Sequence, residues 1–147
     1  MSGNATEFVT TAEINAPLEV VWKVLTDAAR YSDWNPEIIG IAGRMALNER
    51  IKARVKLGSG AVRSVTMRVT AFEPPSRMEW TGRLPLGLFV GVRTFTPSSR
   101  GATTGFRIHV RTSGPLAALI GKSTGNRQPE IDKFSAALKT RAERPAA

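Results

Sequence analysis

The residues between 38 and 112 alternate apolar and polar side chains in a series of short segments, and this pattern limits the fold most strongly. The clearest segment is residues 51–57, in which every second residue is apolar and the three between them are basic. A period of two places successive side chains on opposite faces of a strand. Clusters of glycine and proline separate the segments at short intervals, which is typical of antiparallel neighbours joined by tight turns. The sequence therefore predicts a meandering antiparallel sheet.

Seven strands follow from this pattern. They are predicted at residues 8–14, 38–44, 51–57, 65–71, 77–83, 88–96 and 103–112. The run from Pro97 to Gly101 is interpreted as a loop, because proline, serine and glycine cluster there.

Helical spacing of apolar residues appears twice. Between the first two strands it predicts a helix over 17–26 and a second helical turn near 29–32, which ends at Trp34-Asn35-Pro36. From Pro115 onward it predicts a long C-terminal helix, with a kink or break around Gly125 to Gln128 because Pro129 interrupts the pattern.

The predicted order is β-α-α-β-β-β-β-β-β-α. A curved antiparallel sheet with one apolar face needs a cover, and the C-terminal helix carries the only large apolar stripe. We therefore predict a single α+β domain over residues 1–147, with an ordered core from about residue 7 to 143.

Composition narrows the classes of function. The chain has 147 residues, no cysteine and one histidine, so thiolate and multi-histidine metal centres are excluded, and we expect neither a metal nor another cofactor. It lacks a run of about 18 apolar residues and the pattern of a signal peptide, from which we expect a cytoplasmic protein. We expect a monomer or a homodimer.

Positive charge is concentrated in the region of the predicted sheet. The net charge is +9, and residues 44–111 contain thirteen basic and three acidic residues. A basic outer face is predicted, which could meet an anionic membrane surface. Nucleic acid is a less favoured partner, since no aromatic residues interleave with these cations. A simple solvated face is the favoured interpretation. The face would consist of Lys52, Arg54, Lys56, Arg68, Arg107 and Arg111.

Several short motifs, taken in order, resemble those of a known superfamily. They are Ala-Pro-x-x-x-Val-Trp at 16–22, Asp-Trp-Asn-Pro at 33–36, Glu-Trp-Thr-Gly at 79–82, Leu-Phe-x-Gly at 88–91 with Phe95, and Gly-Pro-Leu at 114–116. This arrangement resembles the START-like (SRPBCC, helix-grip) superfamily, and within it the polyketide cyclase/dehydrase-like branch. The resemblance implies a sheet wrapped around the C-terminal helix, with an apolar cavity between them that binds a lipid, a polyketide or another hydrophobic molecule.

The candidate ligand-binding residues are large apolar and aromatic side chains that would face this cavity. Large apolar residues serve equally well as plain core, and sequence alone does not separate the two roles. Small residues at Gly82, Gly91, Ala118, Gly121 and Gly125 favour a cavity slightly. The candidates are Tyr31, Trp34, Met67, Trp80, Phe89, Arg93, Phe95, Ile131, Phe134 and Leu138, of which Tyr31 and Trp34 would lie at the rim by resemblance.

Two side chains offer chemistry beyond shape. Arg93 shares a strand face with Phe89 and Phe95, so its guanidinium could hold the acidic group of a ligand; the alternative is that its stem packs while its head reaches solvent. His109 is expected at the surface rather than in catalysis, because it alternates with apolar residues and has no visible orienting partner.

The sequence favours binding over catalysis. The first hypothesis is binding of a small hydrophobic, or acidic and hydrophobic, ligand for transport, sensing or sequestration. The alternative is a polyketide cyclase/dehydrase-like enzyme that acts in the same cavity. A weaker alternative is a cochaperone-like module that binds proteins.

Overall fold

A computed structural model describes residues 6–124 and 126–144. Seven strands form one antiparallel sheet in the order β1-β7-β6-β5-β4-β3-β2. Their bounds are β1 Thr6–Ile14, β2 Ile38–Ala42, β3 Arg50–Lys56, β4 Val62–Glu73, β5 Arg77–Arg83, β6 Val90–Arg100 and β7 Thr103–Ser113. From β2 to β7 each strand pairs with its neighbour in sequence, and β1 closes the sheet against β7. The predicted meander and the α+β fold class are confirmed.

Three α-helices accompany the sheet, namely α1 Leu18–Thr26, α2 Ala117–Thr124 and α3 Gln128–Glu143. A 3₁₀ helix at Ala28–Asp33 follows α1, and a shorter one at Pro85–Gly87 lies between β5 and β6. The long C-terminal helix of the sequence prediction is thus two helices. Pro129 lies in the first turn of α3, where a missing N–H leaves no hydrogen bond unmade. Gly125, at the predicted break, lies outside the described residues.

The predicted loop at 97–101 is wrong, because Pro97 to Arg100 continue β6 and pair with β7. Pairing with β5 ends near Phe95, which lies opposite Met78. Beyond that point β6 has only β7 beside it, and an edge segment tolerates a proline. The actual turn is shorter, with Gly101 in the left-handed region at φ 80°.

The hydrophobic core lies between the concave face of the sheet and the helices α1 and α3. Ile14, Leu25, Ile108, Phe134 and Leu138 are all fully buried in it. α3 packs mainly along β1 and contacts α1. Within the described residues, no helix is long and apolar enough to cross a membrane.

Candidate functional site

A cavity of about 570 Å³ opens at one end of the sheet. Its walls are the inner faces of β3 to β7, the start of β1 and the segment between β5 and β6, and α2 covers it through Ala117, Ile120 and Gly121. Most lining side chains are apolar, among them Val55, Leu57 and Val110. This volume lies within the range of about 300–1,000 Å³ that is typical of small-molecule sites.

Four of the ten candidate ligand-binding residues line this cavity: Met67, Trp80, Phe89 and Arg93. The small residues Gly82, Gly91 and Gly121 also line it. At Gly121 an added Cβ would meet no atom within 4 Å. The helix α2 therefore leaves space beside the cavity at this position.

The other six candidates lie in the core beside the cavity and do not line it. Five of them are fully buried: Tyr31, Phe95, Ile131, Phe134 and Leu138. Trp34 packs its ring against Tyr31 and Phe134, at centroid distances of 5.0 and 5.6 Å. Trp80 joins the two regions, because it lines the cavity and its ring lies 4.6 Å from that of Phe95. An aromatic cluster therefore forms a packed wall behind the cavity.

A buried ionic group lies at the boundary between cavity and core. The carboxylate of Glu37 has no exposed side-chain surface and accepts two hydrogen bonds from Arg93, at 2.9 and 2.7 Å. Arg127 donates to the Oε2 atom of the same carboxylate, and its Nη1 lies 3.8 Å from Glu130. Arg93 and Arg127 both line the cavity. The group therefore connects the start of β2, the middle of β6 and the segment between α2 and α3.

The Trp-Asn-Pro motif holds Glu37 in place. The side-chain oxygen of Asn35 accepts hydrogen bonds from the backbone N–H groups of Glu37 and Ile38, at 2.9 and 2.8 Å. The Glu37 carbonyl in turn accepts from the N–H of Lys56 on β3. The Asp-Trp-Asn-Pro motif, on which the family resemblance partly rests, therefore also positions the buried carboxylate.

Glu37 and Arg93 stabilise each other in their charged forms. Burial alone would raise the pKa of the Glu37 carboxyl, but the charges and hydrogen bonds of Arg93 and then Arg127 outweigh burial and hold that pKa below its ordinary value. Burial would likewise lower the pKa of Arg93, and Glu37 raises it instead. Burial also raises the pKa of Tyr31, whose hydroxyl donates to the carbonyl of Leu25.

Arg93 lines the cavity and also makes a contact that neither sequence-based interpretation included. Its side chain is only 12% exposed, so the head does not reach solvent, and its two terminal nitrogens both donate to Glu37. The guanidinium also lies 5.7 Å from the ring centre of Phe134. Sequence reasoning missed Glu37 and Arg127 of this ionic group, as well as the cavity-lining residue Arg63. The available signal for Glu37 was Arg93 itself, since a cation on an inward strand face needs a buried carboxylate as its partner.

One polar atom of the cavity wall has no partner. The indole nitrogen of the fully buried Trp80 makes no hydrogen bond within the part of the chain described. A buried donor without an acceptor is unfavourable by about 1–3 kcal/mol.

The outer face of the sheet carries the predicted cations, and Lys52, Arg54 and Arg107 are exposed. His109 lies on this face as well, with Glu7 of the neighbouring strand 2.8 Å from its ring nitrogen. This partner could not be predicted from the sequence, because the contact depends on the pairing of β1 with β7. Among the described residues, no cluster of three or more His, Asp or Glu side chains could hold a metal ion.

The fold and the sequence were compared with those of known proteins. The Zhui aromatase/cyclase from Streptomyces sp. R1128 superposes with a TM-score of 0.76 at 15% identity, over 95% of this chain and 94% of that one. A START superfamily protein from Mycobacterium smegmatis gives 0.67 at 18% identity, over 93% and 97% of the two chains. Norcoclaurine synthase from Thalictrum flavum gives 0.69 at 11% identity, over 94% of each chain. At these identities the likeness shows the fold alone.

Sequence comparison with curated proteins returned no match. A family profile, described as polyketide cyclase/dehydrase and lipid transport, matches residues 5–143. This match spans nearly the whole chain and agrees with the superfamily of the similar folds. The chain therefore belongs to the polyketide cyclase/dehydrase and lipid transport family.

Proposed function

We propose that the protein binds a small hydrophobic molecule in the cavity beneath α2, for transport, sensing or sequestration. The observation that carries this proposal is the cavity of about 570 Å³ with mostly apolar walls. Burial of apolar ligand surface contributes roughly 25 cal/mol per Å², which favours ligands that fill such a space. The family, whose description includes lipid transport, supports the same class of ligand.

The rigid wall behind the cavity supports binding of a ligand with a defined shape. Phe95 contacts Trp80 edge to face and Phe134 at a tilt, and close-packed cores resist collapse into neighbouring space.

A pair of variants on α2 tests the proposal. Gly121→Trp would place an indole into the open space that Gly121 borders, whereas Ala118→Trp places the same ring at an exposed position of the helix that does not line the cavity. A hydrophobic fluorescent probe should bind the wild type and the Ala118→Trp variant alike, and Gly121→Trp should weaken it at least about tenfold, as expected when a pocket is filled.

Native mass spectrometry of protein from its own host gives a second readout. A retained apolar molecule, present in the wild type and Ala118→Trp and lost in Gly121→Trp, is the expected result. Equal probe binding by the two variants would contradict the proposal, because binding would then not depend on the cavity.

A cyclase-like reaction on a polyketide is the second candidate. The family, whose description also includes polyketide cyclase/dehydrase, favours it. The test uses a short linear poly-β-ketone thioester and measures cyclisation with loss of one water molecule. Gly121→Trp should slow this reaction, and Ala118→Trp should leave its rate unchanged, because only Gly121 lines the cavity. A rate equal to that of the protein-free control would rule this candidate out.

A further inference from the structure

The cavity is lined by four arginines and, among its described lining residues, by no carboxylate. Two of the four, Arg93 and Arg127, bind the buried Glu37. The other two, Arg63 and Arg83, are exposed side chains that line the cavity, so they lie at its mouth. Neither guanidinium makes a hydrogen bond or an ion pair with any other group of the described ranges 6–124 and 126–144.

Arg63 occupies a position where the strand pattern calls for an apolar residue. It lies directly opposite Val55 in the pairing of β3 with β4, and Val55 is buried and lines the cavity. Residues opposite each other in an antiparallel pair share a face, so Arg63 projects from the inner face, as Met67 does further along β4. The cations of the neighbouring strand β3, by contrast, lie on the outer face.

Resting on the proposed function, we propose that the ligand is an amphipathic acid whose anionic group is held at the mouth by Arg63, with Arg83 adding to the positive potential. The guanidinium presents a fork of donors that matches a carboxylate or a phosphate. Because the mouth is open to solvent, the ligand's charge keeps part of its hydration and avoids the cost of full burial.

The inner end of the cavity sets the orientation of the ligand. An acid that entered head first would find the terminal nitrogens of Arg93 already donating to Glu37, and its charge would lose its hydration against mostly apolar walls. The apolar tail would meanwhile lie in solvent. The favoured orientation therefore places the tail against Trp80 and the acidic group at Arg63.

Three probes with the same tail test this assignment: dodecanoate, dodecyl phosphate and the neutral methyl dodecanoate. Titration of the full chain should show that one or both anions bind about tenfold tighter than the ester, a typical gain for a charge-assisted contact at a partly exposed site. Arg63→Gln should remove this difference and leave the ester unchanged, and Arg63→Lys should restore part of it. Whichever anion binds tighter identifies the head group as carboxylate or phosphate.

Arg54→Gln is the matched control, because Arg54 is an exposed cation on the outer face of the neighbouring strand β3. It should change none of the three affinities. Equal affinities of the wild type for acid and ester, or equal losses in Arg54→Gln and Arg63→Gln, would overturn the assignment of an acidic ligand while the cavity function stands. If none of the probes binds, including the ester, the cavity function is overturned with it.

Discussion

Replacement of Glu37 by glutamine tests how strongly the buried ionic group holds the fold together. The change preserves size but removes the negative charge that two arginines share. Arg93 and Arg127 are only 12% and 15% exposed, so water compensates little for the loss. Breaking a buried ion pair on one side typically lowers the free energy of unfolding by about 3–5 kcal/mol. We expect a loss in this range for Glu37→Gln.

Urea denaturation followed by circular dichroism measures this loss. Glu19→Gln is the control, because Glu19 is an exposed residue of α1 and its substitution should change the stability by no more than about 0.5 kcal/mol. A double-mutant cycle of Glu37→Gln with Arg127→Gln should give a smaller total loss than the sum of the single losses, because the two residues contact each other.

The dependence of stability on pH follows from the direction in which the pKa of Glu37 is shifted. That pKa is lower in the folded protein than its ordinary value of 4.5, so its stabilising contribution is fully present above 4.5 and is lost as the pH falls through the folded pKa. The stability difference between the wild type and Glu37→Gln should therefore be largest near neutral pH and shrink in acid. A difference below about 1 kcal/mol at neutral pH, or one that does not change in acid, would refute the assignment of a strongly coupled buried pair.

Two further stability measurements probe how the site is positioned. Asn35→Ala removes the acceptor for two backbone N–H groups and should lower the free energy of unfolding by about 1–3 kcal/mol; an unchanged midpoint in urea would mean that other groups position Glu37. Gly114→Ala should cost about 1–3 kcal/mol, because Gly114 has φ 105° and an added Cβ would lie 2.6 Å from the carbonyl oxygen of Leu88. Gly87→Ala, with φ 67° and no atom near its Cβ, is a control for backbone strain without the clash.

The sheet could be predicted well because its signal is local. β5 was predicted from Arg77 to Arg83 with its observed bounds, since the alternation of one strand needs no knowledge of its neighbours. The continuation of β6 through Pro97 could not be predicted in the same way. Whether a proline is tolerated depends on where the adjacent antiparallel strand β5 begins, because β6 has no neighbour on that side beyond this point. This is a property of the assembled sheet.

The site was less accessible to sequence analysis for a related reason. Arg93 and Glu37 are 56 positions apart, and no short motif links them. Side chains such as Phe134 and Met67 are both apolar and large, yet only Met67 lines the cavity. The two positions differ because the C-terminal segment forms two helices. The helix α2 covers the cavity, whereas α3, which carries Phe134, covers the aromatic cluster.

That division has a consequence for how such a protein can change over generations. Substitutions on α2 or at the mouth reshape the binding space without touching Tyr31, Phe95 or Phe134, which hold the other half together. Most random substitutions lower the free energy of unfolding, but substitutions on the solvent-facing side of α2 lower it less. The architecture thus lets ligand preference change while the packed aromatic cluster stays the same, which offers a natural starting point for selecting new binders from libraries limited to α2 and the rim.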